Sequence, residues 1–191
     1  MLMTEKKSIP LPKSYRLVAA DLSLKRPGFC IMHISKEHDV IQITDIELYS
    51  IDNKTKKKPR GQLLSEIAEA FRLIIDDDDK QPTFYVREKS VNNCGFSARS
   101  GALARSGISE VVGVIDYIAW MHQNEFDEIY PVTIKKLVAG NGRADKKQVA
   151  EALFKYIGNL KYKNDDESDA AAVAVAWLIQ NGELESKGVD S

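Results

Sequence analysis

Hydrophobic positions along this chain switch repeatedly between strand-like runs and helical spacing. Arg16-Leu17-Val18-Ala19-Ala20 is a short apolar run ended by Asp21 and predicts a buried strand. Pro27-Gly28 marks a turn. Phe29 to Ile34 reads as the return strand of a hairpin, and Val40 to Ile51, rich in β-branched and aromatic residues, as a third strand. The period then becomes helical: Leu63, Leu64, Ile67, Ala70, Phe71, Ile74 and Ile75 fall on one face. This helix runs into Asp76–Asp79, an anionic cluster that opposes the helix dipole and so lies beyond the last stable turn. Pro82 opens a strand over Thr83 to Glu88, and Asn92-Asn93-Cys94-Gly95 reads as a flexible connection.

Val111, Val112, Val114, Ile115, Ile118 and Ala119 predict a long helix ending near Gln123. Ile129 to Val132 reads as a short strand, followed by a basic helix or turn. Asn141-Gly142 breaks the chain. Asp145 is placed as an N-cap with Gln148 at the third helical position, the arrangement of a capping box. Val149, Leu153 and Tyr156 then face inward, and Gly158 closes the helix. A last helix runs from about Asp166 to Gln180 and stops at Asn181-Gly182. The order β-β-β-α-β-α-β-α-α predicts an α/β fold with a mixed central sheet, three antiparallel N-terminal strands followed by parallel ones, flanked by helices. The expected organisation is a flexible tail over 1–14, one domain over 15–182 and a C-terminal tail over 183–191.

Composition narrows the classes. A length of 191 residues suits one domain with a substantial core. No apolar stretch is long enough to cross a bilayer, and the N-terminus lacks the apolar core of a signal peptide. Two cysteines, Cys30 and Cys94, are too few for a disulfide framework, and with His33, His38 and His122 they show no zinc spacing. A cytoplasmic location without a membrane partner is the expectation. Net charge is −1, yet the charges are segregated. Lys54, Lys56, Lys57, Lys58 and Arg60 form one basic run, and Lys135, Lys136, Arg143, Lys146 and Lys147 another. Acidic residues collect at 76–79 and 165–169. Basic segments around an acidic centre fit a protein that holds phosphates near a metal.

The chemistry is concentrated in Asp166-Glu167-Ser168-Asp169, directly before the apolar run Ala170 to Ile179. The i, i+3 spacing puts Asp166 and Asp169 on one helix face, where they repel unless a cation intervenes. Asp21 and Glu88 each end a predicted strand; if those strands are parallel neighbours, the two ends lie side by side. Four converging carboxylates are hard oxygen ligands, suited to Mg2+ or Mn2+ rather than zinc. Two such ions, roughly 3.5–4 Å apart, hold the attacking and leaving oxygens of a phosphodiester displacement.

Three segments carry a family resemblance. They are Ala20-Asp21-Leu22-Ser23 through Pro27-Gly28, Phe84-Tyr85-Val86-Arg87-Glu88, and the block from Pro131 to Val149 with its two lysines about a glycine-bounded turn; Asp166-Glu167-Ser168-Asp169-Ala170 closes the set. Together they resemble the RuvC family of Holliday-junction resolvases, of the RNase H-like superfamily, with phage-encoded members such as those of lactococcal phages nearest. The resemblance implies an RNase H-like fold and a Mg2+-dependent endonuclease for branched DNA, four-way junctions and forks, in which Mn2+ substitutes and no small-molecule cofactor takes part. It makes Asp21, Glu88, Asp166 and Asp169 the metal-binding catalytic carboxylates, with Asp165 an alternative to Asp166. Lys135 and Lys146 match family lysines near the scissile phosphate and junction backbone, Lys146 being counted with the catalytic set; Lys135, Lys136, Arg143, Lys146, Lys147, Arg99 and Arg105 are the expected DNA contacts. A homodimer is implied too, the helix bearing Val111, Ile115 and Ile118 being either its interface or core. Where bacterial relatives carry an aromatic wedge soon after the strand glutamate, this chain has Val91, with Phe96 further along. A non-catalytic branched-DNA-binding protein is the competing reading.

Overall fold

The computed structural model describes residues 10–38, 40–52, 58–76, 81–90 and 98–186, with only the backbone of 98–106. Strands β1 (Ser14–Asp21), β2 (Gly28–Glu37), β3 (Val40–Ser50), β4 (Thr83–Glu88) and β5 (Phe126–Ile129) form one five-stranded sheet in the order β3-β2-β1-β4-β5. β1–β2 and β2–β3 pair antiparallel, whereas β1–β4 and β4–β5 pair parallel. The mixed sheet anticipated from the strand pattern is therefore present. β1 is central and covered on both faces, which is why its apolar run is continuous rather than alternating. β3 at the sheet edge is half-exposed and does alternate over its first half.

Helices pack on both faces. α1 (Arg60–Ile75) and α2 (Ala98–Met121) cover one; α3 (Pro131–Ala139), α4 (Lys146–Ile157) and α5 (Asp165–Gln180) cover the other. The sheet divides the interior into two cores along the parity of its strands. Leu17, Ala19, Cys30, Met32 and Val86 face α3–α5, while Val18, Ala20, Phe29, Ile31 and Tyr85 face α1 and α2. α5 is buried all round from Ala170 to Leu178. Its alanines leave room for this close approach to the sheet, and a helix apolar on every side has to be interior.

The ends of the helices follow their cap residues. Asp145 and Gln148 form a reciprocal capping box at 2.9 Å each way. Gly158 ends α4 at φ 69°, and Asn164 caps α5 by accepting from the Glu167 N–H.

Several expectations are corrected. The segment after β5 is a full helix, α3, and Val132 belongs to it rather than to a strand. Pro131 is the reason: it starts a helix with no N–H to satisfy and a φ already suited to the first turn. α2 begins at Ala98, so Arg99 and Arg105, two of the expected DNA contacts, lie on helical backbone; their side chains lie outside the described residues. Arg60, the last cation of the first basic run, opens α1 with Gly61. Residues 53–57, 77–80 and 91–97 also fall outside the description, including Val91 and Phe96. At the chain ends, Leu11 packs on the core. Glu183 accepts from the Tyr15 hydroxyl at 3.3 Å and pairs with Lys36 at 2.6 Å, so packed structure extends past both expected tail boundaries. Val111, Ile115 and Ile118 are buried against the sheet and α1, which makes them core and not an interface. Among the described residues no helix is long and apolar enough to cross a membrane.

Candidate active site

The parallel register that aligns Ala20 with Arg87 makes Asp21 and Glu88 the next pair along two neighbouring strands. Parity sets their direction. Ala19 and Val86 face α3–α5, so Asp21 and Glu88, two residues on, face the same side. There they line a cleft of about 300 Å³ together with Lys135 of α3, Lys146 of α4 and Asp169 of α5; Pro131, Ile134, Val149 and Ala172 form its apolar walls. Five elements thus deliver charge to one end of the sheet.

Electrostatics in the cleft are strained. Asp21 is pushed up to about 7, first by burial, then by the charges of Glu88 and Asp169; Lys146 opposes the shift and Asp166 adds to it. Glu88 is raised by burial and by Asp169, with Lys135 and Lys146 opposing. Lys146, first residue of α4 after its Asp145 cap, ion-pairs with Asp169. Burial lowers its pKa, but the bond to Asp169 and the charges of Asp169, Asp21 and Asp165 outweigh that and hold it above the ordinary lysine value.

Asp166 does not line the cleft. Its carboxylate lies 3.3 Å from the guanidinium of Arg26, which also reaches Asp52 at 3.4 Å. Its field nevertheless reaches Asp21. Asp165 is exposed, and its field falls on Lys146 instead. Of the two, Asp166 is the one whose charge bears on Asp21. The backbone around it is tight: a Cβ on Gly28 would lie 2.2 Å from the Asp166 carbonyl oxygen.

Of the expected DNA contacts, Lys135 is half-buried in the cleft wall, while Lys136, Arg143 and Lys147 are exposed on α3 and α4 and the connection between them. Lys147 pairs loosely with Glu151 at 3.8 Å. Arg26 was missed by sequence reasoning; the available signal was a cation in the turn directly after a strand-end aspartate. Tyr130 was missed as well. It is exposed beside Pro131 of the cleft wall, with the Lys89 ammonium 5.0 Å from its ring centre.

The donor set can be tested against a divalent cation. Among the described residues no three acidic or histidine side chains already form a metal cage. Two of the four candidate carboxylates are engaged by chain cations, Asp169 by Lys146 and Asp166 by Arg26. Even so, the oxygen-only chemistry fits, because burial and mutual repulsion raise Asp21 and Glu88 towards protonation, and a hard cation relieves that repulsion.

The family model for crossover junction endodeoxyribonuclease RuvC matches residues 18–177. The chain belongs to the RuvC family. Its match runs from the second half of β1 to the last turn of α5 and takes in every strand and helix between. The crossover junction endodeoxyribonuclease RuvC of Prochlorococcus marinus subsp. pastoris is 30% identical over 169 residues, 87% of this chain and 98% of its own length. The RuvC of Rickettsia bellii is 30% identical over 164 residues, covering 85% and 96%. Among solved structures, T. thermophilus RuvC in complex with Holliday junction substrate superposes with a TM-score of 0.67 at 15% identity, over 88% of this chain and 97% of that one. The yeast mitochondrial Holliday junction resolvase gives 0.52 at 16% identity, over 93% and 83%. These likenesses show a shared RuvC fold, with a mixed sheet between helical layers.

Proposed function

We propose that this RuvC-family nuclease hydrolyses phosphodiester bonds in branched DNA, four-way junctions above all, with Asp21, Glu88, Asp166 and Asp169 holding Mg2+, for which Mn2+ substitutes. The observation that carries this reading is the delivery of Asp21, Glu88 and Asp169 to one cleft with Lys135 and Lys146. A divalent cation bound there supplies Lewis-acid stabilisation of the phosphate and a more acidic water. The chain's own residues do the rest. Lys146 is 64% exposed beyond its contact with Asp169, so it can turn to a phosphate as a point charge. Lys135 offers a second cation from the cleft wall. Lys136, Arg143, Lys147, Arg99 and Arg105 are proposed to hold the DNA backbone, contacts that fix register without reading sequence. Tyr130 and Lys89 extend that surface with a ring on which an unpaired base can stack.

The test is cleavage of a synthetic four-way junction against a linear duplex of the same sequence, with Mg2+, with Mn2+ and with a chelator. Metal-dependent nicking of the junction is expected, with none in chelator. Tight junction binding without cleavage in either metal would replace this reading with the non-catalytic one.

A homodimer is part of the proposal, since a two-fold protein presents two clefts to a two-fold substrate. The buried stripe of α2 is committed to the core. Its opposite side shows Tyr117, Trp120 and Met121, each more than 60% exposed at i, i+3, i+4 spacing. Trp120→Glu is expected to convert a dimer to a monomer in sedimentation equilibrium and to remove paired nicking while leaving the fold intact. A variant that stays dimeric would exclude this face.

A further inference from the structure

Glu167 stands between the two candidate ligands of α5, yet it points elsewhere. It is 1% exposed and lies about 100° round the helix from Asp166. Its Oε1 accepts from the Ser50 hydroxyl at 2.8 Å, and its Oε2 accepts from the Lys163 backbone N–H at 2.8 Å. Asn164 donates to the same Ser50 oxygen at 2.8 Å while its own side-chain oxygen caps the Glu167 N–H at 3.2 Å. Among the described residues no lysine, arginine or histidine pairs with this carboxylate. Ser50 ends β3 opposite Gly28, the residue whose missing side chain admits the Asp166 carbonyl. A closed ring of hydrogen bonds thus joins the first turn of α5 to the end of the β2–β3 ladder.

A buried carboxylate without a cation is a poor choice for stability alone, because an apolar side chain would fill the place without the desolvation penalty. What it supplies is direction. At the far end of α5, Trp177 packs on Tyr15 and Phe84 and donates to Asp127 at 2.9 Å, while the alanines between it and the first turn give that turn little side-chain bulk to hold it. Rotation would leave Glu167 buried without its donors. We propose, resting on the site reading above, that Glu167 with Ser50 and Asn164 is the positioning device that sets the rotation of α5 and so aims Asp166 and Asp169. Glu167 is a positioning residue and not a ligand.

Groups that support ligands in this way typically change metal affinity or activity by about 10–100-fold when removed. The experiment compares wild type with Glu167→Ala, Glu167→Gln, Ser50→Ala and, as a control on the site itself, Asp21→Asn. Junction-cleavage rates at saturating DNA, junction affinity without divalent metal and Mn2+ binding by calorimetry without DNA are measured for each. In Glu167→Ala the turnover and the Mn2+ affinity should fall about 10–100-fold with junction affinity unchanged. Glu167→Gln, which keeps an acceptor, should recover most of both. Ser50→Ala, which removes one donor, should show the same pattern more weakly and carries the test if Glu167→Ala fails to fold. Wild-type Mn2+ affinity and turnover in a folded Glu167→Ala or Ser50→Ala would overturn the positioning role. Cleavage by Asp21→Asn would instead overturn the site reading beneath it.

Discussion

Asp21→Asn is expected to abolish junction cleavage while making the metal-free protein more stable at neutral pH. The cleavage loss is on the order of a thousandfold or more, since a ligand carboxylate at a metal-assisted displacement contributes several kcal/mol to the barrier. The stability gain follows from linkage. The Asp21 carboxyl titrates at about 7 in the fold, against 3.8 ordinarily. A carboxyl raised in the folded state gives its full stabilisation below its ordinary value and loses it as pH rises through the folded one. The window is therefore pH 4 to 8, and the ceiling on the loss is about 4 kcal/mol at about 1.36 kcal/mol per unit. Asparagine keeps the shape and cannot ionise. In chelator at pH 8 its melting temperature should exceed that of wild type by roughly 10 °C. The difference should shrink towards pH 4, where wild-type Asp21 is also neutral, and shrink again when Mg2+ saturates wild type. A variant no more stable than wild type at pH 8 in chelator, as measured by thermal melts across the pH range, would contradict this account of the cleft.

Gly28→Ala should damage both fold and chemistry through a single methyl group. The added Cβ would meet the Asp166 carbonyl oxygen at 2.2 Å and its carbon at 2.6 Å, and both are backbone atoms that no rotamer change can move. The first turn of α5 must lift from the sheet. Overpacking of this kind costs about 1–3 kcal/mol. The displaced Asp166 and Asp169 should lower cleavage about 100-fold, because misplacement by an ångström is enough. Gly61→Ala is the matching control: nothing lies within 4 Å of the new methyl in the first turn of α1, so a gain of up to about 1 kcal/mol is expected. Chemical denaturation and junction cleavage of the two variants, side by side, separate a local clash from a general effect of losing a glycine.

The sheet and four of its five helices were readable because their signals are local. β1 is an unbroken apolar run, α4 carries its capping box, and α5 announces itself by alanines after a polar first turn. The gathering of Asp21 with Glu88 was readable at one remove, from two strand ends and an assumed parallel pairing. The rest depended on partners far apart in the chain. The nine residues of α3 are too few and too basic for periodicity to separate them from a turn, and Pro131 was read with the strand before it. Arg26 meets Asp166 across the fold, and no spacing rule links them. α2 shows apolar residues on two sides, and a pattern of apolar positions says which faces avoid water without saying what covers each. The buried face proved to carry Val111 and Ile115, and the open one Trp120.

The two interior cores have a further consequence. Every candidate ligand projects from the α3–α5 side of the sheet, whereas the exposed aromatic stripe belongs to α2 on the other. Heritable change can therefore act on them as separate modules, joined mainly through the rigid strands β1 and β4. A lineage could exchange the surface of α2 and acquire new pairings, including mixed pairs of diverged copies, while its hydrolytic half stays untouched. Separately drifting faces would let one nuclease scaffold be recruited repeatedly to differently shaped DNA.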